Sequence, residues 1–486
     1  MTVVFWEERS LLRLWTAADH STRGAFREHS RVMLPELVTA IPGPRSRRLA
    51  GELRAHESRN VTYVSAGFPV FWERAHGVNV WDVDGNRFLD VTCGFGVASL
   101  GYTPEKIVAA MQEQAPKLYH AMGDVHPSAE KAALCRRLSE LTFETWSLGP
   151  GKVILTNSGS EAVEAALKTA WLATNKRGVL AFSGGYHGLG YGALTVTGRN
   201  LFRDPFSAQL ADFATFLPFP DCQHGALGAM PHEPQVCDHG CEATFLRRAE
   251  RVLAQGTMGA ILVEPVQGRG GEVAPPDWFL PLLRTLADRY GVLLIFDEIY
   301  TGFYRTGRRF ACDHWEVQPD LICLGKALTS GFPLAACVGT AKVMDAAWPE
   351  STGEALHTST FLGNPLGCRM SLESLALLEA EPWSARVTLS GDQLHAGLKR
   401  LKASSPRWGW VRGLGLMRGI EVLDAEGKPD PARAGQLVEA MLARGIIILS
   451  GGVEQNVISF TPLFVMGEEE MGFVLGELAA LAREEC

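Results

Sequence analysis

Short aliphatic runs alternate with longer amphipathic segments between about residue 105 and residue 345. Such short runs fit buried strands, and the segments between them have the length and periodicity of helices. Parallel strands need long crossover connections, so this alternation predicts βα units around a mostly parallel sheet. The runs are residues 153–155, 179–182, 260–263, 292–296, 321–324 and 335–338.

The segments on either side of this region have different patterns. Residues 1–60 are polar and helix-like, with a break at residues 41–44, and predict an N-terminal arm. Residues 77–90 alternate apolar and polar side chains around Asp84-Gly85, which predicts a β-hairpin. We expect an N-terminal arm with part of a small domain at 1–104, a large domain at 105–370 and a C-terminal small domain at 371–486.

Composition and charge argue against several classes of protein. The 486-residue chain has a formal charge of -8 and scattered basic residues, which argues against a nucleic-acid partner. No apolar stretch reaches the roughly 20 residues that a membrane span needs. Charged residues such as Glu7, Glu8 and Arg9 interrupt the start of the chain, which therefore does not resemble a secretory signal. We expect a cytoplasmic protein whose cysteines are mostly reduced.

A lysine and an aspartate follow two neighbouring runs of the predicted sheet. Lys326 comes just after the run at 321–324, and Asp297 directly follows the run at 292–296. Open α/β sheets bind ligands at the carboxyl ends of their strands, so both side chains should face one cleft. This pair suits pyridoxal phosphate chemistry, in which a lysine holds the cofactor as a Schiff base and a carboxylate partners the pyridinium nitrogen. Taken alone, such a lysine is more often a surface amine.

Other strand ends carry polar residues that could bind a ligand or take part in a reaction. A serine-glycine-serine segment opens a helical pattern, where free N–H groups and the helix dipole bind phosphate. An ordinary helix N-cap is the alternative interpretation of that segment. Polar residues follow five of the predicted strands, and one shared site explains this better than coincidence does. The residues that follow the other runs are Ser158, Gly159, Ser160, Tyr186, His187 and Glu264.

In the order and spacing of these motifs, from about residue 66 to residue 466, the chain resembles the class III, or ω-amino-acid, aminotransferases. The resemblance implies an α/β, aspartate-aminotransferase-like fold of the pyridoxal-phosphate-dependent transferases. Such a fold has a large domain with a mostly parallel sheet, and a smaller α/β domain built from the N- and C-terminal segments. It also implies pyridoxal 5′-phosphate as the cofactor.

The resemblance further implies a role for each matching residue. Lys326 and Asp297 would be the catalytic pair, as Schiff-base lysine and pyridinium partner. The serine-glycine-serine segment would hold the phosphate, and an aromatic and an aliphatic side chain would pack on the two ring faces. Thr360 would reach the phosphate of the neighbouring subunit, which implies a homodimer with shared active sites. The residues assigned to the cofactor are Ser158, Gly159, Ser160, Tyr186, His187, Glu264, Asp297, Ile299, Lys326 and Thr360.

The activity implied is transfer of an amino group from an ω-amino acid or primary amine to a 2-oxo acid, by a ping-pong mechanism. An amino-acid racemase, epimerase or aminomutase on the same fold is the alternative, because all share the lysine, the aspartate and the phosphate cup. A rival of another class is a catalytically idle or scaffold protein that keeps the fold, or an interaction module stabilised by zinc at a segment rich in cysteine and histidine. Retention of Lys326, Asp297 and the serine-glycine-serine segment together argues against an idle protein.

Three positions depart from the family pattern, and one of them is Tyr300, at a position that is often filled by glutamine. Ser459 stands where members that use glutamate carry an arginine that pairs with the equivalent of Glu264. The use of 2-oxoglutarate is therefore in question, unless Arg199 or Arg203 takes over that role. Gly96 stands where many ω-transaminases have a bulky aromatic residue, which predicts a pocket that admits larger amines.

A segment rich in cysteine and histidine lies between the runs at 179–182 and 260–263. Cysteine and histidine are the ligands of structural zinc, so this segment is a candidate zinc site. A surface insertion with incidental thiols is the interpretation that we favour from sequence, and we assign no metal ligand. The candidates are Cys222, His224, Cys237, His239 and Cys241.

Overall fold

The computed structural model describes residues 32–228, 231–233, 237 and 239–484. The first half of the predicted N-terminal arm lies outside these residues. The chain from Leu34 onward forms one compact unit. Within the described part of the chain, no helix is long and apolar enough to cross a membrane. The cytoplasmic location stays a prediction.

The strands belong to three sheets. They are β1 Trp72–His76, β2 Asn79–Asp82, β3 Arg87–Asp90, β4 Gly151–Thr156, β5 Gly178–Phe182, β6 Ala214–Leu217, β7 Met258–Val263, β8 Leu293–Asp297, β9 Leu321–Leu324, β10 Ala335–Thr340, β11 Trp408–Leu414, β12 Met417–Val422, β13 Ile446–Ile447, β14 Leu449–Gly451 and β15 Val457–Phe460.

Helices connect and cover these strands. The longer ones are α1 Pro44–His56, α2 Glu105–Gln114, α3 Ala129–Ser139, α4 Gly159–Thr174, α5 Tyr191–Val196, α6 His239–Leu253, α7 Phe279–Tyr290, α8 Ala341–Ala347, α9 Pro365–Ala380, α10 Trp383–Ser404, α11 Pro431–Ala443 and α12 Glu468–Glu484.

The large sheet has the strand order β4-β10-β9-β8-β7-β5-β6. Its strands run parallel except for β10, which is antiparallel to both neighbours. The sheet is therefore mostly parallel, as predicted, and each predicted run lies in one of its strands, except that the run at 292–296 begins one residue before β8. The edge strand β6 was not predicted, because it has only four residues, three of them partly buried, and carries a weak pattern.

The large sheet is buried because its strands are aliphatic on both faces. All six residues of β7 are buried, which is typical of parallel strands covered on both sides. Helix α4 packs on the sheet through Ala162, Ala165 and Ala166, none of which is exposed. Small side chains on this face let the helix lie close to the sheet. The helix N-terminus therefore has a fixed position at the sheet edge.

The strands of the two smaller sheets come before and after those of the large sheet along the chain. In the first, β2 and β3 are antiparallel with Val80 opposite Phe88, which confirms the predicted hairpin. Strand β13, from the C-terminal segment, pairs parallel to β3, with Ile446 opposite Leu89. The other sheet has the order β11-β12-β15-β14. The small domain thus combines both ends of the chain, while the predicted boundaries at 104 and 370 stay predictions.

Candidate active site

The carboxyl ends of five strands lie at one edge of the large sheet, because β4, β5, β7, β8 and β9 run in the same direction. This edge is where open α/β sheets bind their ligands. The residues predicted from sequence at these strand ends are therefore brought to the same side of the molecule.

Lys326 lies two residues beyond β9 and opens a short 3₁₀ turn, Lys326–Leu328. Its φ of 48° lies in the left-handed region, which is rare for non-glycine residues and is found often at functional sites. The Nζ atom is 3.7 Å from the centre of the Tyr300 ring. Burial lowers the pKa of the amine to about 8, against the charges of Asp297 and Glu264, which raise it. A lysine in this state can act as a nucleophile and as a base near neutral pH.

Asp297 is the last residue of β8, and its carboxyl group is buried. Its Oδ2 atom lies 2.8 Å from Nδ1 of His187, and its Oδ1 accepts a hydrogen bond from the backbone N–H of Ile299. Burial lowers the pKa of His187, but the hydrogen bond and the charge of Asp297 raise it by more. The backbone N–H of His187 donates to Oγ1 of Thr197, 3.0 Å away, which fixes the ring beside the carboxylate.

The serine-glycine-serine segment forms the start of α4. Ser158 is the N-cap, and its hydroxyl accepts a hydrogen bond from the backbone N–H of Glu161. The hydroxyl of Ser160 accepts from the backbone N–H of Gly190, 3.1 Å away. The N-cap expected as the alternative is thus present. Phosphate binding at this N-terminus stays a prediction.

Gly159 is required by the close approach of Ile299. A Cβ atom at Gly159 would lie 2.8 Å from Cδ1 of Ile299, a distance that side chains do not tolerate. Ile299 also packs over Gly325, the residue before Lys326. The side chain of Ile299 thus lies between the helix N-terminus and the lysine turn, as expected for a residue that contacts a planar ligand.

Glu264 follows β7 directly and holds the backbone of two loops. Its Oε1 accepts from the N–H of Tyr186 at 2.8 Å, and its Oε2 accepts from the N–H of Gly268 at 3.1 Å. Burial raises the pKa of Glu264, although the charge of His187 opposes this. Arg269 lies over the Tyr186 ring, 5.0 Å from its centre. Tyr186 is therefore fixed from two sides beside the strand ends.

Thr360 lies on an exposed segment of the chain. The preceding residue, Ser359, accepts a hydrogen bond from Nδ2 of Asn157, 3.1 Å away. Asn157 is adjacent to the helix N-terminus of α4, so this segment runs beside the predicted phosphate site. The contribution of Thr360 to a second subunit stays a prediction.

Sequence analysis missed Glu272, a buried carboxyl group close to these residues. Its side chain hydrogen-bonds to Ser459, and its charge acts on Lys326. Burial raises the pKa of Glu272 well above its usual range. Within the described residues, its Oε2 atom has no hydrogen-bond partner. No motif marks this residue in the sequence, because Ser459 and Glu272 come together only through the fold.

The space beside Gly96 is filled, contrary to the interpretation from sequence. A Cβ atom at Gly96 would lie 2.3 Å from Cε2 of Tyr300, and one at Gly268 would lie 2.2 Å from Cδ1 of the same ring. The two glycines therefore make room for Tyr300. The absent side chain at Gly96 accommodates a neighbouring residue of the protein, and does not open a pocket for a larger amine.

These residues fit pyridoxal 5′-phosphate. Lys326 supplies an amine whose pKa is lowered, Asp297 supplies a buried carboxylate, and the N-terminus of α4 supplies N–H groups for a phosphate. Gly159 leaves Ile299 the room that a ring-packing residue needs.

Three relatives with known names resemble this chain over most of its length. A 4-aminobutyrate aminotransferase of Escherichia coli is 35% identical over 80% of this chain and 88% of its own. An alanine/serine racemase of Pyrococcus horikoshii is 32% identical over 90% of each chain. An (S)-enantioselective ω-transaminase from Thermomicrobium roseum has a crystal structure with a TM-score of 0.82, 28% identity, and coverage of 90% of this chain and 98% of its own.

A protein-family model that matches more than half of the chain identifies its family. The family model described as aminotransferase class-III matches residues 62–481, which include every residue assigned to the site. This chain therefore belongs to the class III aminotransferases, and it is a transaminase that uses pyridoxal 5′-phosphate as its cofactor.

Proposed function

We propose that the enzyme moves the amino group of an ω-amino acid or a primary amine to a 2-oxo acid in a ping-pong cycle. The observation that carries this proposal is the pair formed by Lys326 and Asp297 at adjacent strand ends. The lysine has a lowered pKa, and the aspartate is buried against a histidine. The 4-aminobutyrate substrate named for the Escherichia coli relative supports an ω-amino acid as donor.

Lys326 and Asp297 have separate roles in this proposal. Pyridoxal phosphate, when bound, supplies an electron sink for the carbanion at the substrate carbon. Asp297 would hold a negative charge at the ring nitrogen and keep it protonated by the opposite-charge effect. Lys326 would hold the cofactor through its amine, and would act as the general base that moves the proton at the substrate carbon. His187 orients the carboxylate of Asp297 through their hydrogen bond and interacts with its charge.

A monocarboxylate such as pyruvate is the acceptor that the site favours. The position of the missing arginine is occupied by Ser459, and its hydrogen-bond partner is the carboxyl group of Glu272. A second carboxylate, as in 2-oxoglutarate, would meet no guanidinium there, only the buried carboxyl group of Glu272. Loss of a charge-assisted pair costs about 1.5–3 kcal/mol.

Glu272 also favours a donor with a hydrogen-bonding group far from the reacting amine. Its Oε2 is buried and has no partner within the described residues, which is costly unless a ligand pairs with it. An ammonium or hydroxyl group on the substrate would supply that partner. Diamines and amino alcohols are therefore donors to include beside ω-amino acids.

Arg269 is the arginine that we propose for the carboxylate of the substrate. It is exposed beside the Tyr186 ring, and its charge acts on Lys326. Arg199 is a weaker choice, since its guanidinium donates to the backbone oxygens of Arg269 and Gly452. Arg203 lies over the ring of Phe216, 4.6 Å from its centre.

Steady-state kinetics test this assignment. The purified enzyme should transfer the amino group of 4-aminobutyrate, a diamine or an amino alcohol to pyruvate with a higher kcat/KM than to 2-oxoglutarate. Arg269→Gln should raise KM for the acceptor more than it lowers kcat. A strong preference for 2-oxoglutarate would contradict the proposed acceptor, and a lack of transfer with any pair would contradict the proposed function.

We also propose a homodimer. Apolar side chains are exposed on the segments beside the helix N-terminus of α4, as expected for a surface that a second copy covers. Light scattering on the purified enzyme should give twice the mass of one chain. The exposed apolar residues of these segments are Leu118, Tyr119, Met122, Val125, Leu356 and Phe361.

Racemisation is the second candidate activity. The racemase of Pyrococcus horikoshii covers this chain as fully as the aminotransferases do. A racemase would release ²H-labelled enantiomer from a single amino acid in D₂O without any 2-oxo acid, whereas a transaminase needs the acceptor for turnover. The two activities are separated by adding and omitting pyruvate.

A further inference from the structure

The loop between β6 and α6 brings together cysteine and histidine residues that the transaminase activity does not use. Cys222 begins a short 3₁₀ turn, and its backbone oxygen accepts a hydrogen bond from the backbone N–H of His232, 3.0 Å away. Cys237 lies near the end of the loop, and Cys241 lies in the first turn of α6. We call residues 222–241 the Cys/His loop.

Three ligand atoms of the Cys/His loop lie close together. One ligand atom each from Cys222, His232 and Cys237 lies within 4.8 Å of both of the others. Tetrahedral zinc, with Zn–S near 2.3 Å and Zn–N near 2.0 Å, places its ligand atoms roughly 3.5–3.8 Å apart. The observed spacing therefore needs only small side-chain shifts to meet zinc geometry.

Cys241 completes a set of four. Its thiol is a hydrogen-bond partner of Cys237, and its charge acts on Cys222. A small cavity beside the cluster is lined by Cys222, His232 and Cys241. Both Cys222 and Cys241 are buried. Cys241 therefore lies beside the group of three as the candidate for a fourth ligand.

A fifth residue orients the cluster from outside. Nε1 of Trp278 donates a hydrogen bond to the sulfur of Cys237, 3.4 Å away. Hydrogen bonds from neighbouring groups to ligand atoms are typical of metal sites, where they fix the ligand and stabilise its negative charge. A group of thiols that lay together by chance on a surface insertion would not require such a hydrogen bond.

We propose that Cys222, His232, Cys237 and Cys241 bind one structural Zn²⁺ ion. Three cysteines and one histidine form a closed tetrahedral set, which is typical of structural zinc and leaves no position for substrate. Calcium and magnesium require oxygen ligands, and a disulfide would use only two of the four side chains. Zinc binding would deprotonate the three thiols and release their protons to solvent.

Two of the sequence candidates fall outside this set. His224 lies 2.8 Å from Oδ2 of Asp221 through Nδ1 and 2.9 Å from Oε1 of Glu421 through Nε2, so both of its ring nitrogens are engaged elsewhere. The side chain of His239 lies outside the described residues. His232, which the spacing in the sequence did not suggest, takes the place of the histidine ligand.

The zinc would hold a loop that supports the proposed substrate site. Asp221, next to Cys222, accepts a hydrogen bond from Nη2 of Arg412 at 2.7 Å. Nη1 of Arg412 in turn donates to the backbone oxygen of Gly271 at 3.3 Å, and Gly271 precedes Glu272. This consequence rests on the proposed function, whereas zinc binding itself does not.

Elemental analysis of the purified holoenzyme is the direct test. We expect one zinc per chain after gel filtration, and loss of that zinc in Cys237→Ser and in Cys241→Ser. Cys135→Ser, which changes a cysteine on α3, is the matched control and should keep the metal. Wild-type enzyme without zinc after zinc-supplemented expression would overturn the proposal. Iron with sulfide in place of zinc, or a disulfide between two of these cysteines, would also overturn it.

Replacing His232 with another zinc ligand distinguishes a loss of zinc binding from a loss of folding. His232→Cys should keep one zinc, because four thiolates also bind zinc, whereas His232→Ala should lose it. Wild-type enzyme grown with Co²⁺ should show intense thiolate-to-cobalt absorbance, a signal that does not depend on transaminase activity. Equal zinc in His232→Ala and wild type, or cobalt without thiolate bands, would contradict the assignment.

Discussion

Nδ1 of His187 lies 2.8 Å from Oδ2 of Asp297, and both side chains are buried at the edge of the large sheet. The contact holds one carboxylate oxygen, while the backbone N–H of Ile299 holds the other. Both oxygen atoms of the carboxyl group are thus held in position. A carboxylate held in this position would stabilise the protonated form of the ring nitrogen of the cofactor.

Asp297→Asn should therefore reduce kcat/KM for amino transfer by about a hundredfold or more, where each tenfold step corresponds to about 1.4 kcal/mol. The amide keeps the size of the side chain but loses the negative charge. His187→Gln should have a smaller effect, because the charge of Asp297 remains. Steady-state rates and the visible spectrum of both purified variants measure this. Equal rates for Asp297→Asn and wild type would show that another group holds the ring nitrogen.

The pKa of Lys326, near 8, predicts how cofactor uptake depends on pH. Only the neutral amine forms an imine, so uptake by the apoenzyme should rise with pH and level off above about 8. Below that point the rate should fall by about tenfold per pH unit. Stopped-flow absorbance at several pH values records this curve, with Lys326→Ala as the control that forms no borohydride-stable adduct. A midpoint near that of ordinary lysine would contradict the burial of the amine.

The strands and the positions of Lys326 and Asp297 at their ends were predictable because their signals are local. An aliphatic run followed by Lys326 or Asp297 is visible in a few consecutive residues, and parallel strands place all carboxyl ends together. The same reasoning found Glu264 and the N-terminus of α4. Positions at strand ends are thus the part of a site that sequence patterns describe best.

The residues that escaped prediction meet only through the fold. Glu272 and Ser459 lie far apart in sequence, and neither belongs to a local motif. A backbone hydrogen bond holds His232 beside Cys222, and no regular spacing marks it in the sequence. The inference about Gly96 was wrong for a related reason, since an absent side chain does not reveal which neighbour fills its space.

Tyr300 and Gly96 should be coupled in stability. A Cβ atom at Gly96 would meet the Tyr300 ring at 2.3 Å, and the φ of Gly96 is 77°. Gly96→Ala should thus cost about 1–3 kcal/mol from crowding, with strain at positive φ in addition. In a Tyr300→Leu background the crowding part should disappear, while the strain remains. A double-mutant cycle from urea unfolding measures the coupling, and fully additive effects would show that the ring does not press on this position.

The acceptor preference should shift when an arginine is placed beside Glu272. Ser459→Arg adds a guanidinium that can pair with the distal carboxylate of 2-oxoglutarate, and a charge-assisted pair contributes about 1.5–3 kcal/mol. The ratio of kcat/KM for 2-oxoglutarate to that for pyruvate should rise by about tenfold or more. Ser459→Gln is the matched control, since it adds length without charge and should leave the ratio unchanged. Because Glu272 will compete for the new cation, Ser459→Arg combined with Glu272→Gln should shift the ratio further. An unchanged ratio in that double variant would show that Ser459 does not face the distal carboxylate.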